Sequence, residues 1–125
     1  NGNITEVLAE YDPETRGGNT PDGRKVRGTI HWVDAATARD AEVRLYSTLF
    51  TDPDPDAADK DFLACLNPDS LEVLIGCKIE PDLAAAACPA SFQFMRNGYF
   101  CVDRDSTPEH PVFNRSVSLK DSFRK

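Results

Sequence analysis

Short apolar–polar alternations, each cut off by proline, glycine or aspartate, dominate this chain. Thr5-Glu6-Val7-Leu8-Ala9-Glu10-Tyr11 reads as a strand that ends at Asp12-Pro13. Residues 16–25 form a polar loop with turn chemistry at Pro21-Asp22-Gly23. Val26 to Val33 predicts a second strand, with Ile30 and Trp32 on one face and Thr29, His31 and Val33 on the other. Ala41 to Phe50 alternates again, Val43, Leu45 and Leu49 against Glu42, Arg44 and Tyr46. Asp52-Pro53-Asp54-Pro55-Asp56 cannot be regular, but it leads into one expected short helix, Ala57 to Leu66, with Phe62, Leu63 and Leu66 as its apolar side.

Asn67-Pro68-Asp69 is a turn, and Leu71 to Ile75 a strand. An alanine-rich connection lies between Pro81 and Pro89. Phe92 to Arg96 and Tyr99 to Asp103 flank Asn97-Gly98, the strongest hairpin signal in the chain. Val112 to Leu119 is the last expected strand. Six or seven short strands with one helix predict a mainly β fold, a barrel or a sandwich. The expected core residues are Ile30, Trp32, Leu45, Phe92, Phe94 and Phe113, and Trp32 would need a partner for its indole N–H.

The length of 125 residues and the 40% apolar content suit a single small domain with a real core. No apolar run is long enough to span a membrane as a helix, and no signal-peptide pattern opens the chain. It starts at Asn1 without a methionine, as a fragment would. The net charge of −7 argues against a general polyanion binder, yet charge is segregated. Arg16, Arg24, Lys25 and Arg27 stand against Asp22 alone, and Arg115, Lys120, Arg124 and Lys125 against Asp121. Between them five aspartates, from Asp52 to Asp61, oppose Lys60. Local basic patches on an acidic body fit a partner held at one place.

Candidate chemistry is sparse. No glycine-rich phosphate loop occurs, and no nucleophile motif. His31 and His110 lack metal-ligand spacing, and His31, mid-strand beside Trp32, is read as structural. Cys65, Cys77, Cys88 and Cys101 form no Cys-x-x-Cys pair and are too few for a stapled secreted domain. Reduced, structural thiols place the chain in the cytoplasm. The residues alone therefore indicate a binding module without a catalytic site.

Three blocks carry a resemblance. Asp22 to Val33, Glu42 to Tyr46 with Leu49-Phe50, and Phe92-Gln93-Phe94 through Gly98 to Asp103, Val112 to Arg115 and Leu119 to Asp121 closely resemble the C-terminal anticodon-binding region of bacterial glutaminyl-tRNA synthetases. With the Asn67 to Leu71 turn, the likeness covers nearly the whole chain. It implies part of an ATP-dependent class I ligase that joins glutamine to its tRNA. It also implies antiparallel β-barrels of the ribosomal-protein-like type that grip the anticodon loop. The His-Ile-Gly-His and Lys-Met-Ser-Lys-Ser signatures of that family are missing here. The resemblance therefore implies the last part of the ligase, with no catalytic site and no cofactor of its own, ATP belonging to a catalytic domain upstream. The implied partners are glutamine-specific tRNA and that catalytic domain, in a monomer without membrane contact. A glutamyl-tRNA synthetase sharing these barrels is the nearest alternative. A freestanding RNA- or protein-binding barrel is another.

By the same resemblance, Gln93 and Arg96 match a glutamine and an arginine that recognise the central anticodon base, a uracil. Where the family often has acidic residues beside that arginine, this chain has Met95 and Asn97. Arg24, Lys25, Arg27, Arg115 and Lys120 are weaker candidates, for phosphate or interdomain contact. Strict alternation puts Gln93 and Arg96 on opposite faces, so an irregularity is expected between Met95 and Gly98. The cysteine reading has a direct check: titration in denaturant without reductant should count four thiols per chain. A count of two or none would overturn the assignment to a reducing compartment.

Overall fold

The computed structural model describes residues 2–18, 20–26, 28 and 30–119. The chain divides into two compact units, residues 1–31 and 32–125. Among the described residues no helix is long and apolar enough to cross a membrane.

Among its described residues the first unit has a single regular piece, a 3-10 turn over Pro13–Gly18. Asp12 starts it: its Oδ1 accepts from the Glu14 N–H at 3.1 Å, and its carbonyl accepts from the Thr15 hydroxyl at 2.9 Å. The expected strand over residues 5–11 does not form, nor do the described residues of 26–33 belong to one. Val7, Leu8, Tyr11 and Ile30 are all exposed, and so is Trp32 at the start of the second unit. Ile30 and Trp32 are therefore not core residues. The physical reason is that alternation is only half of a strand. The other half is a second backbone to take the hydrogen bonds and an apolar face to cover the side chains. No described segment of residues 2–31 supplies a paired strand.

The second unit has both. Its strands are β1 (Arg39–Tyr46), β2 (Leu71–Ile79), β3 (Ser91–Phe94), β4 (Gly98–Val102) and β5 (Val112–Val117). They form one sheet in the order β2-β1-β5-β4-β3. All neighbours are antiparallel except β1 and β5, which run parallel with Glu42, Val43 and Arg44 opposite Val112, Phe113 and Asn114. Val112 and Phe113 are completely buried. Phe113 forms the core with Ala41, Val43, Ile79, Phe100 and Val102. Leu45 and Leu74 from one end of the sheet and Phe92 and Phe94 from the other pack against the same cluster. The sheet is thus curled around a single apolar face. Phe94 stacks on Phe100 with ring centres 4.6 Å apart and meets Phe113 edge-on at 5.3 Å.

Two boundaries differ from the sequence reading for local reasons. β2 runs on to Ile79 because Ile75 and Gly76 together oppose Glu42 as a bulge. Gly76 takes φ +70° there, a backbone that glycine adopts without strain, and so lets the strand continue. The helix expected over residues 57–66 shrinks to one 3-10 turn, Phe62–Cys65, with the Asp61 carboxylate accepting from the Leu63 N–H at 3.0 Å. Leu66 is drawn out of it by pairing with Phe50, and Asn67 ties the same loop to Leu49 and Thr48.

A polar cluster fastens the outside of the β1–β5 junction. The half-buried Arg44 donates to Glu42 at 2.7 Å and to Asp105 at 2.9 Å, and it lies 3.3 Å from Asp103. The Asn114 amide donates to Asp103 from β5, and His110 stands 3.3 Å from Glu42. The Arg44 hydrogen bond, above all, holds the Glu42 carboxyl below its usual range. The Asp105 backbone N–H does the same for Asp103, helped by the Asn114 amide and the nearby Arg44 charge.

Two predictions follow from this frame. Because both carboxylates titrate below their unfolded value, the stability they contribute is complete only above about pH 5 and lost as pH falls through their depressed folded values. The melting temperature should therefore fall on acidification below that point, and Arg44→Met should both lower it at neutral pH and flatten its acid limb. Parallel acid limbs in the two proteins would show that the cluster is not the source. The second concerns Gly98, at φ +145°, where an added Cβ would stand 2.7 Å from the Val117 carbonyl oxygen. Gly98→Ala should cost more than about 1 kcal/mol, read as a lower urea midpoint. An unchanged midpoint would mean that the β4–β5 approach can relax.

Candidate nucleic-acid interface

The β3–β4 hairpin is built differently from its sequence signal. Phe94 pairs with Gly98, so the turn is Met95-Arg96-Asn97 and not Asn97-Gly98. The Asn97 N–H closes it on the Phe94 carbonyl at 2.9 Å, and the Asn97 amide donates to the Met95 carbonyl at 3.1 Å. Arg96 takes φ +66°, the left-handed region that non-glycine residues seldom occupy. This is the irregularity expected between Met95 and Gly98. Gly98 moves inward to fill the close approach to β5, and the left-handed conformation falls on Arg96.

The turn settles where the first two candidates stand. Gln93 lies on the exposed face of β3, between Phe92 and Phe94, which turn inward to the core. Arg96 has left the strand alternation altogether and is exposed at the tip of the hairpin. No other charged residue occurs from Ser91 to Val102, so its charge is not offset within the hairpin.

The weaker candidates separate. Arg115 opposes the buried Phe100 and lines an apolar cavity of about 330 Å³ together with Phe94, Asn97 and Lys78. It therefore sits on the inner side of the sheet, away from the Gln93 face. Arg24 belongs to the first unit, where it pairs with Asp12 and with Asp22 at 3.5 Å, and Lys25 beside it is exposed. Arg27 and Lys120 lie outside the described residues. The sequence reading passed over Tyr99, which the ladder sets directly opposite Gln93. Alternation alone could not find that pair, because the two-residue turn expected there gives a different register.

Comparison with known proteins agrees with the hairpin and sheet. Residues 29–103 match the family model described as tRNA synthetases class I (E and Q), anti-codon binding domain. The chain is 49% identical over 124 residues to the glutamine–tRNA ligase of Bradyrhizobium diazoefficiens, covering 99% of this chain and 22% of that protein. It is 53% identical to the ligase of Pseudomonas syringae pv. tomato and 54% identical to that of Vibrio parahaemolyticus, over 98% and 99% of its length. In both it again spans 22% of the relative. An exposed hairpin on a mainly β sheet, the family match over most of its residues and these long alignments lead to one conclusion: the chain belongs to the anticodon-binding domain family of class I glutamyl- and glutaminyl-tRNA synthetases.

Proposed function

We propose that this chain is the anticodon-reading part of a cytoplasmic, monomeric glutamine–tRNA ligase, with glutamine-specific tRNA and the catalytic domain of the same protein as its partners. The observation that carries the reading is the near-complete alignment with ligases of that name, at about half identity. Ligation of glutamine and use of ATP are assigned to the remainder of the protein.

Within this chain, Gln93 and Arg96 are assigned to the central anticodon base. A loop base is read on its Watson–Crick edge once it is unstacked. The Gln93 amide carries one acceptor and two donors, which complement the N3–H and O4 of uracil. Arg96 carries donors only, so it favours the uracil oxygens and opposes the amino group of cytosine. Its exposed place at the hairpin tip and the absence of a neighbouring carboxylate in the hairpin support that role.

In the full-length ligase, Arg96→Ala should cost roughly 1–3 kcal/mol of recognition, concentrated at the central anticodon position. The measurement is aminoacylation efficiency on tRNA carrying uracil or cytosine there, alongside the melting temperature. An unchanged uracil-over-cytosine ratio with unchanged melting would show that Arg96 is not a reader. Equal weakening on both tRNAs with a flatter salt dependence would make it a phosphate contact.

A further inference from the structure

Edge contacts leave a nucleobase with two unsolvated flat faces to account for, and the sheet offers a surface beside Gln93 that suits one of them. Tyr99 on β4 is directly opposite Gln93 on β3, and Val117 on β5 is directly opposite Tyr99. All three are exposed, Tyr99 to 44% and Val117 to 57%. Directly opposed side chains stand about 5 Å apart, so the row extends about 10 Å, the span of a base. Its composition is unusual for an outer face: an amide at one end, an aromatic ring in the middle, an aliphatic side chain at the other.

The row exists because of a bulge. Phe100 opposes Arg115, and continuing that register would set Ser116 against Tyr99. The extra residue moves Val117 there instead, while the Ser116 hydroxyl donates to the Tyr99 carbonyl at 3.1 Å and holds the backbone. Register irregularity thus spends a residue to keep an apolar neighbour beside the ring.

We infer that Tyr99, flanked by Val117, is the platform on which the base engaged by Gln93 and Arg96 stacks. This rests on the reading of the hairpin proposed above. The ring contributes affinity common to every base, since each has a π-face, while the amide and guanidinium supply discrimination. Tyrosine suits the task, because it presents a large rigid surface at a low entropy cost.

The test uses the full-length ligase and tRNA with fluorescent aminopurine at the central anticodon position. Complex formation should quench the probe in the parent and in Tyr99→Phe, which keeps the ring. Tyr99→Leu should abolish the quenching and raise Kd by about 5- to 150-fold. That loss should be equal for uracil- and cytosine-bearing tRNAs. If Tyr99→Leu quenches and binds as the parent does while Arg96→Ala still changes the uracil-over-cytosine ratio, the platform is wrong and the edge reading stands. If Arg96→Ala, Gln93→Ala and Tyr99→Leu all leave binding intact, the hairpin reading falls and takes the platform with it. Should Tyr99→Leu fail to fold, the parent alone decides: unchanged or increased probe fluorescence on binding overturns the inference.

Discussion

The insertion of β5 between β1 and β4 is what makes this domain one sheet. Without that strand the chain has two separate antiparallel pairs, β1 with β2 and β3 with β4, neither able to bury its apolar face alone. The joint is short on the β1 side, three residue pairs in parallel register, and parallel pairing is the weaker kind. It is reinforced on both faces. Inward, Phe113 is fully buried among residues from both pairs, and on the other face Val112, opposite Glu42, is fully buried as well. Outward, Arg44 from β1 and Asn114 from β5 share Asp103 as an ion-pair and hydrogen-bond partner.

From that joint a line of dependence leads to the hairpin. Phe113 supports Phe94 edge-on, Phe94 stacks on Phe100, and these two rings hold β3 and β4 against the core. With their inner faces fixed, Gln93 and Tyr99 are committed to the outer one. The close approach of Gly98 to the Val117 carbonyl then sets the end of the ladder and forces the turn onto Met95, Arg96 and Asn97. Recognition residues are thus placed by packing on the far side of the sheet, which is how a strand-borne site gains its precision.

Much of this was legible in the chain. All five strands were anticipated within a few residues, and Leu45, Phe92, Phe94 and Phe113 do pack in or against the core. Phe100, which no core expectation included, is among the most buried residues. The misses share a cause. Residues 5–11 and 26–33 alternate well, but whether alternation becomes a strand depends on a partner that pattern cannot supply. Gly98, expected in the turn, instead makes a close approach inside the ladder, and Gly76, just past the expected end of a strand, takes a left-handed geometry within β2. The Arg44 cluster joins residues some sixty positions apart, beyond the reach of any local motif. The site was legible as residue types only. The register that pairs Gln93 with Tyr99 comes from the irregular turn, whose presence was expected but whose form was not, and the bulge that brings Val117 opposite Tyr99 has no signature in periodicity.

The parallel joint also fixes an order of events. β5 follows every other strand in sequence, yet it occupies the middle of the sheet. During synthesis the two hairpins are made first, and each emerges with an unpaired edge and an apolar face until residues 112–117 arrive between them. Their union closes a loop of about seventy residues between Glu42 and Val112, a non-local contact of the sort that slows folding. Until then the nascent chain presents the exposed strand edges that chaperones cover and that neighbouring chains can pair with. The central strand's late arrival makes the region a single cooperative unit with a vulnerable interval before it.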